Sequence, residues 1–107
     1  MDIKAEAIVY MLSVLMPDLK IYIAYGYDVI ETPDGNMGFG VYDVNKRTIY
    51  VAGDMPNAEY EIPYTIFHEL WHDYEITNGL KVDENKADDF AKTMCNVLGC
   101  KGGADNG

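Results

Sequence analysis

The chain's only two histidines stand four residues apart, as His68 and His72, with Glu69 directly after the first. On an α-helix, residues four apart lie one above the other on the same face, so this pair aims two imidazoles at one point. A tetrahedral Zn²⁺ accepts both there at about 2.0–2.1 Å. The carboxylate of Glu69 is then placed to reach a water at the metal instead of the metal itself. A metal acidifies such a water and a carboxylate takes its proton, which are the requirements of metal-assisted peptide hydrolysis. A helix carrying histidines by accident would rarely hold both at this spacing with a glutamate in the one productive slot.

The surroundings predict the helix. Pro63 suits a first helical position and Gly79 a C-terminal stop, which frames residues 63–77. Ile66, Phe67, Leu70, Trp71 and Tyr74 supply the apolar surface. Two histidines leave the metal one protein ligand short, and no third histidine exists to complete the set. Downstream, Ala87, Phe90, Ala91, Met94, Val97 and Leu98 recur with the helical period, between Asp83 as N-cap and Gly99 as stop. Glu84 and Asp88 are one turn apart on this second helix. Glu84 is expected to bind the metal, and Asp88 to orient one of the histidines. Glu75, one turn past His72, is a rival ligand, but on the same helix it approaches the metal poorly. Asp83 is the other rival, offset by a single residue.

His68-Glu69-x-x-His72 followed by Glu84-x-x-Ala87-Asp88-x-Phe90-Ala91 resembles the gluzincin metallopeptidases. It is particularly similar to the ImmA/IrrE-type domain and to the stand-alone minimal gluzincins sometimes called minigluzincins. The resemblance covers roughly residues 38–98 and is most specific over 65–91. It implies Zn²⁺ held by His68, His72 and Glu84, Glu69 as general base, and a peptide or protein substrate. It also implies that the last strand before the zinc helix rims the cleft and pairs an extended substrate along Thr48, Ile49, Tyr50 and Val51. An unpaired sheet edge offers backbone groups for such strand addition.

The chain departs from the family pattern in two places. Only eleven residues separate His72 from Glu84, and Trp71 stands where a small residue is common, so it is expected to line part of the cleft. Related peptidases often stabilise the oxyanion with a histidine or tyrosine after the third ligand. Here neither occurs beyond Tyr74. The donor is then an earlier tyrosine (Tyr50, Tyr60, Tyr64 or Tyr74), or Arg47, the only arginine, or is missing. Slow turnover is the expectation.

The length suits one domain, residues 1–107, with one modest core. A formal net charge of −10 argues against nucleic acid and against anionic membrane surfaces as partners. Cys95 and Cys100 are too few for a disulfide framework and are expected as free thiols. Residues 2–16 are apolar, but Asp2, Lys4 and Glu6 do not make the positive start of a secretory signal, and no small-residue cleavage site follows. The run is too short to span a membrane. It reads as a buried packing helix with Asp2 as cap and Pro17 as stop, in a chain expected in the cytoplasm.

Residues 19–25 alternate as a strand does, Val29-Ile30 begins another short one, and Thr32-Pro33-Asp34-Gly35 is a turn signal. Gly35, Gly38 and Gly40 follow no strand-to-helix pattern, so a loop is preferred to a phosphate cradle. Residues 38–43 and 47–52 form a hairpin joined by Val44-Asn45-Lys46, and 53–62 is a polar connector. The Gly-rich residues 101–107 are expected to be disordered. The fold expected is α+β, a minimal zincin. A leading helix packs behind a small, mostly antiparallel sheet of three or four strands, with two zinc-bearing helices on its concave side. The function expected is that of a zinc metallopeptidase. The alternative is a catalytically weak or inactive zinc-binding module of the same fold, serving interaction or regulation.

Overall fold

The computed structural model describes residues 4–100, in the order α1 (Ala5–Leu15), β1 (Lys20–Ala24), β2 (Ile30–Glu31), β3 (Met37–Gly38), β4 (Gly40–Asp43), β5 (Thr48–Ala52), α2 (Ala58–Thr77) and α3 (Glu84–Leu98). The Asp2 cap and the 101–107 tail lie outside the described residues. The molecule is α+β. No described helix is long and apolar enough to cross a membrane.

β5 is the centre of a three-stranded sheet ordered β1-β5-β4. It pairs antiparallel with β4 through the expected hairpin, Asp43 facing Thr48 and Gly40 facing Val51. It pairs in parallel with β1, Lys20 facing Thr48 and Ala24 facing Ala52. The sheet is therefore mixed, not mostly antiparallel. β2 and β3 make a separate two-stranded antiparallel ribbon around the predicted turn at Gly35. Side chains alternate across a strand, so Ile49 and Val51 point inward, both fully buried, and Tyr50 points outward to stack on Tyr22 at 5.8 Å. Each fully buried branched side chain contributes about 1.5–3 kcal/mol.

The core lies between this inner face and α2, whose Ile62, Ile66 and Phe67 are buried against it. Helix α1 touches α2 directly and places Ile8 and Leu12 in the same core. It does not form a separate layer behind the sheet. Only that one stripe is buried; Tyr10, Val14 and Leu15 are exposed, so α1 is a one-sided helix and not a buried one.

α2 begins at Ala58, well before Pro63. Its first turn closes on the Asn57 carbonyl, which accepts from Tyr60 and Glu61 N–H at 3.0 and 2.8 Å. Glu59 and Glu61 favour that end of the helix dipole. Pro63 is tolerated in the second turn because its ring is buried in the core, at the loss of one helical bond to the Glu59 carbonyl. The other boundaries fall as expected. Gly79 (φ 69) ends α2 in a Schellman turn, with Leu80 N–H on the Glu75 carbonyl at 2.7 Å. Asp83 caps α3 by accepting from Asn85 and Lys86 N–H, and Gly99 (φ 73) closes it.

The hairpin is fastened to α2 by a buried carboxylate. Asp73, 1% exposed, accepts from Arg47 Nε at 2.9 Å and Nη2 at 3.2 Å, and from the Tyr42 hydroxyl at 2.5 Å. Removing the guanidinium leaves a buried charge with one neutral partner. Breaking a wholly buried pair costs about 3–5 kcal/mol, and Arg47 is partly in water, so Arg47→Met should lower stability by about 2–3 kcal/mol. Urea unfolding measures this. A loss under about 0.5 kcal/mol would reduce the pair to an ordinary surface contact.

Candidate metal centre

α2 presents His68, Glu69 and His72 toward the first turn of α3, and the Asp83 cap starts α3 so that Glu84 enters opposite them. His68 Nε2 lies 2.9 Å, and His72 Nε2 3.2 Å, from the same Glu84 oxygen, Oε1. One ligand atom from each of the three falls within 4.8 Å of the others. Ligand atoms around a tetrahedral zinc with bonds of about 2.0–2.1 Å stand about 3.3 Å apart. The three expected ligands are thus brought together at a spacing that suits a metal ion.

The inner ring nitrogens are committed elsewhere. His68 Nδ1 is 3.0 Å from Asp88 Oδ1, and His72 Nδ1 is 2.8 Å from Glu75 Oε1. A carboxylate at Nδ1 holds the proton there and leaves the Nε2 lone pair free to bind a cation. Two lone pairs and a carboxylate oxygen repel one another unless a cation or protons stand between them. The donor set, two imidazoles and one carboxylate, is one that zinc takes. The residues present therefore fit a metal, and Asp88 is placed as the sequence reading expects. Its carboxyl is held below the usual range, first by the Tyr64 hydroxyl, which donates at 2.8 Å, against partial burial and with help from His68. Burial alone would hold His72 neutral, but Glu75, Glu84 and Glu69 outweigh it and raise its pKa.

Asp88→Asn keeps the shape but offers His68 a weaker acceptor. Zinc affinity, read by chelator competition, should fall about ten- to a hundredfold. Unchanged affinity would make Asp88 a solvated helix acid.

Glu69 stands beside the convergence, not in it. Burial lifts its carboxyl above the usual range, and the pull of His68 and His72 only partly offsets this. Such a carboxyl can take and return a proton nearer neutral pH than an exposed glutamate. It borders a cleft of about 270 Å³ whose walls are His68, His72 and Glu84 on one side and Gly40, Val41 and Tyr42 on the other, with Ile76 and Val82 also lining it.

That opposite wall corrects the expected substrate edge. Thr48, Ile49, Tyr50 and Val51 lie on β5, paired on both sides, with Thr48, Ile49 and Val51 buried. The free edge beside the cleft is β4. Gly40 is what lets β4 come so near, since a Cβ there would collide with Thr65 Cγ2 and lie 3.6 Å from Glu69 Cγ. Trp71 does not line the cleft. It turns away to Phe90 and Tyr74, with ring centroids 5.2 and 5.0 Å off, and its indole Nε1 is the one buried side-chain polar atom without a partner among the described residues.

Of the expected oxyanion donors, Arg47 is held by Asp73, Tyr64 by Asp88, and Tyr50 lies on the outer face of the sheet. Tyr42, which the sequence reading does not single out, is the tyrosine lining the cleft. Its hydroxyl is given to Asp73, and burial together with that bond pushes its pKa up to about 12. Glu75 is the other residue missed: a partner of His72 instead of a rival ligand, legible only as a helical i, i+3 neighbour. Cys95 and Cys100 form no disulfide. In comparisons with family models, with curated proteins and with solved structures, nothing matches this chain.

Proposed function

We propose that this chain is a zinc-dependent peptidase of minimal gluzincin architecture. One observation carries the reading: the outer nitrogens of two helix-borne histidines meet one carboxylate oxygen of a second helix, while each inner nitrogen is held by a carboxylate of its own. His68, His72 and Glu84 would hold the zinc. When bound, the metal supplies Lewis acidity, polarising a peptide carbonyl and acidifying a water.

The chain's own residues do the rest. Glu69 takes the proton of the attacking water and returns it to the leaving amine, a transfer suited to a carboxyl whose affinity for protons is raised by burial. Asp88 and Glu75 keep the histidines in the ligating tautomer. The β4 edge offers Gly40, Val41 and Tyr42 for pairing with an extended peptide, which aligns it along the cleft. Among the described residues, Tyr42 is the hydroxyl lining the cleft, and it is given to Asp73, as is the Arg47 guanidinium outside the cleft, so neither is placed to meet the oxyanion. Turnover is accordingly slow. The acidic balance of −10 disfavours nucleic acid and anionic membranes as partners.

The same observation about donors favours a second reading, a zinc-binding module with weak or no hydrolysis. Incubating the zinc-loaded chain with casein or a peptide library, and following new termini by mass spectrometry, separates the two. Cleavage that a chelator stops and added zinc restores supports the peptidase. A zinc-loaded chain that cuts nothing supports the module.

A further inference from the structure

The two metal-bearing helices are joined only by residues 78–83. Side chains anchor this connection poorly, since Leu80, Lys81 and Val82 are all exposed. Its backbone is held from inside, and two of its N–H groups end on one residue. Leu80 N–H donates to the Glu75 carbonyl at 2.7 Å, and Asp83 N–H donates to Glu75 Oε2 at 3.0 Å. The other carboxylate oxygen, Oε1, accepts from His72 Nδ1 at 2.8 Å. Glu75 is only 2% exposed, so water replaces none of these contacts.

We infer that Glu75 is the positioning residue that sets the third ligand of the centre, by holding His72 and the start of α3 with a single carboxylate. Asp83 is the cap of α3 and stands next to Glu84 in the chain. Fixing its N–H fixes where the Glu84 carboxylate enters. The same bond set fixes the ring that Glu84 must meet, at 3.2 Å from His72 Nε2. The helices pack on each other further along, Phe67 and Trp71 against Phe90, but only eleven residues separate His72 from Glu84, so the entry of the first turn of α3 depends on this buried side chain. Loosening Glu75 would disturb two ligands together. The inference rests on the metal centre of the proposed function and not on its peptidase chemistry.

Glu75→Gln is the test, because glutamine has nearly the same volume but one oxygen. Its amide N–H must face either the His72 ring or the Asp83 N–H, so at one contact a donor meets a donor. Three measurements are made on the full chain. Zinc affinity by chelator competition should fall about ten- to a hundredfold. Hydrogen exchange at the Asp83 amide should quicken about tenfold or more in metal-free Glu75→Ala, which offers that amide no side-chain oxygen. The visible spectrum of the cobalt-substituted form should change with the ligand geometry. Wild-type affinity in the folded variant overturns the inference, even if the variant melts earlier, since a merely structural role would move only stability. Unaltered exchange at Asp83 in Glu75→Ala also overturns it, because Glu75 would then serve His72 alone. If Glu75→Gln does not fold, Glu75→Asp keeps both oxygens but withdraws them by one methylene, and the same readings decide. A wild type that binds zinc and cuts no peptide would remove the peptidase reading and leave this one standing. A wild type that takes up no zinc overturns both, before any variant is made.

Discussion

Glu69→Gln should cut the proposed hydrolysis by about two to four orders of magnitude and leave zinc binding intact. The substitution preserves the shape of the side chain and removes its basicity. The carboxyl neither bonds a histidine nor joins the convergence on Glu84, so the metal's ligands are unchanged. General acid–base catalysis contributes about 10²–10⁴-fold. With no unengaged donor in the cleft to share the work, kcat should fall by at least that range, and zinc content measured on the same preparation should stay at the wild-type value. Because burial lifts Glu69 above the usual carboxylate range, kcat/KM of the wild type should decline as pH falls through that raised value, where the base becomes protonated. A Glu69→Gln variant within tenfold of wild-type kcat would remove Glu69 from the chemistry. Loss of zinc along with activity would make it a ligand or a support.

Glu84→Ala should weaken zinc binding more than any other single acid-to-neutral change. Zinc held by a protein site is worth about 10–16 kcal/mol, so one of four ligands accounts for about 3 kcal/mol, a factor of about a hundred to a thousand in affinity. Glu84 is exposed and its carboxylate has the two ring nitrogens as its contacts, so the protein should fold without it. Chelator competition should rank Glu84→Ala above Glu75→Gln and Asp88→Asn, which do not touch the metal and act through the rings and, for Glu75, through the Asp83 N–H as well. If Glu84→Ala left zinc affinity unchanged, the third ligand would have been misassigned.

What was legible in the sequence was local. The spacing of His68, Glu69 and His72 is meaningful because one helical turn brings i and i+4 together wherever the helix sits. The Asp83 cap, the glycine stops at Gly79 and Gly99 and the β4–β5 hairpin were readable for the same reason, since each is settled within a few residues. The pairing of Glu84 with the histidines, and of Asp88 with one of them, followed once a second helix was granted, because both acids lie one turn apart on it; that the one is His68 came from the structure.

Tertiary structure decided the rest. β5 reads as a rim strand from its place before α2, yet β1, from much earlier in the chain, pairs along its other side. No local signal announces a parallel partner, and its arrival hands the free edge to β4. Pro63 reads as a helix start, but a buried ring can sit inside a helix when the core repays the lost bond. Tyr42 and Arg47 are ordinary strand and turn residues until α2 brings Asp73 between them. Glu75 reads as a failed ligand until Asp83 returns its N–H from the far side of the connection. Helical spacing tells which residues share a face. Which groups meet that face from elsewhere in the chain depends on packing, because buried polar groups, with few exceptions, must find a partner there.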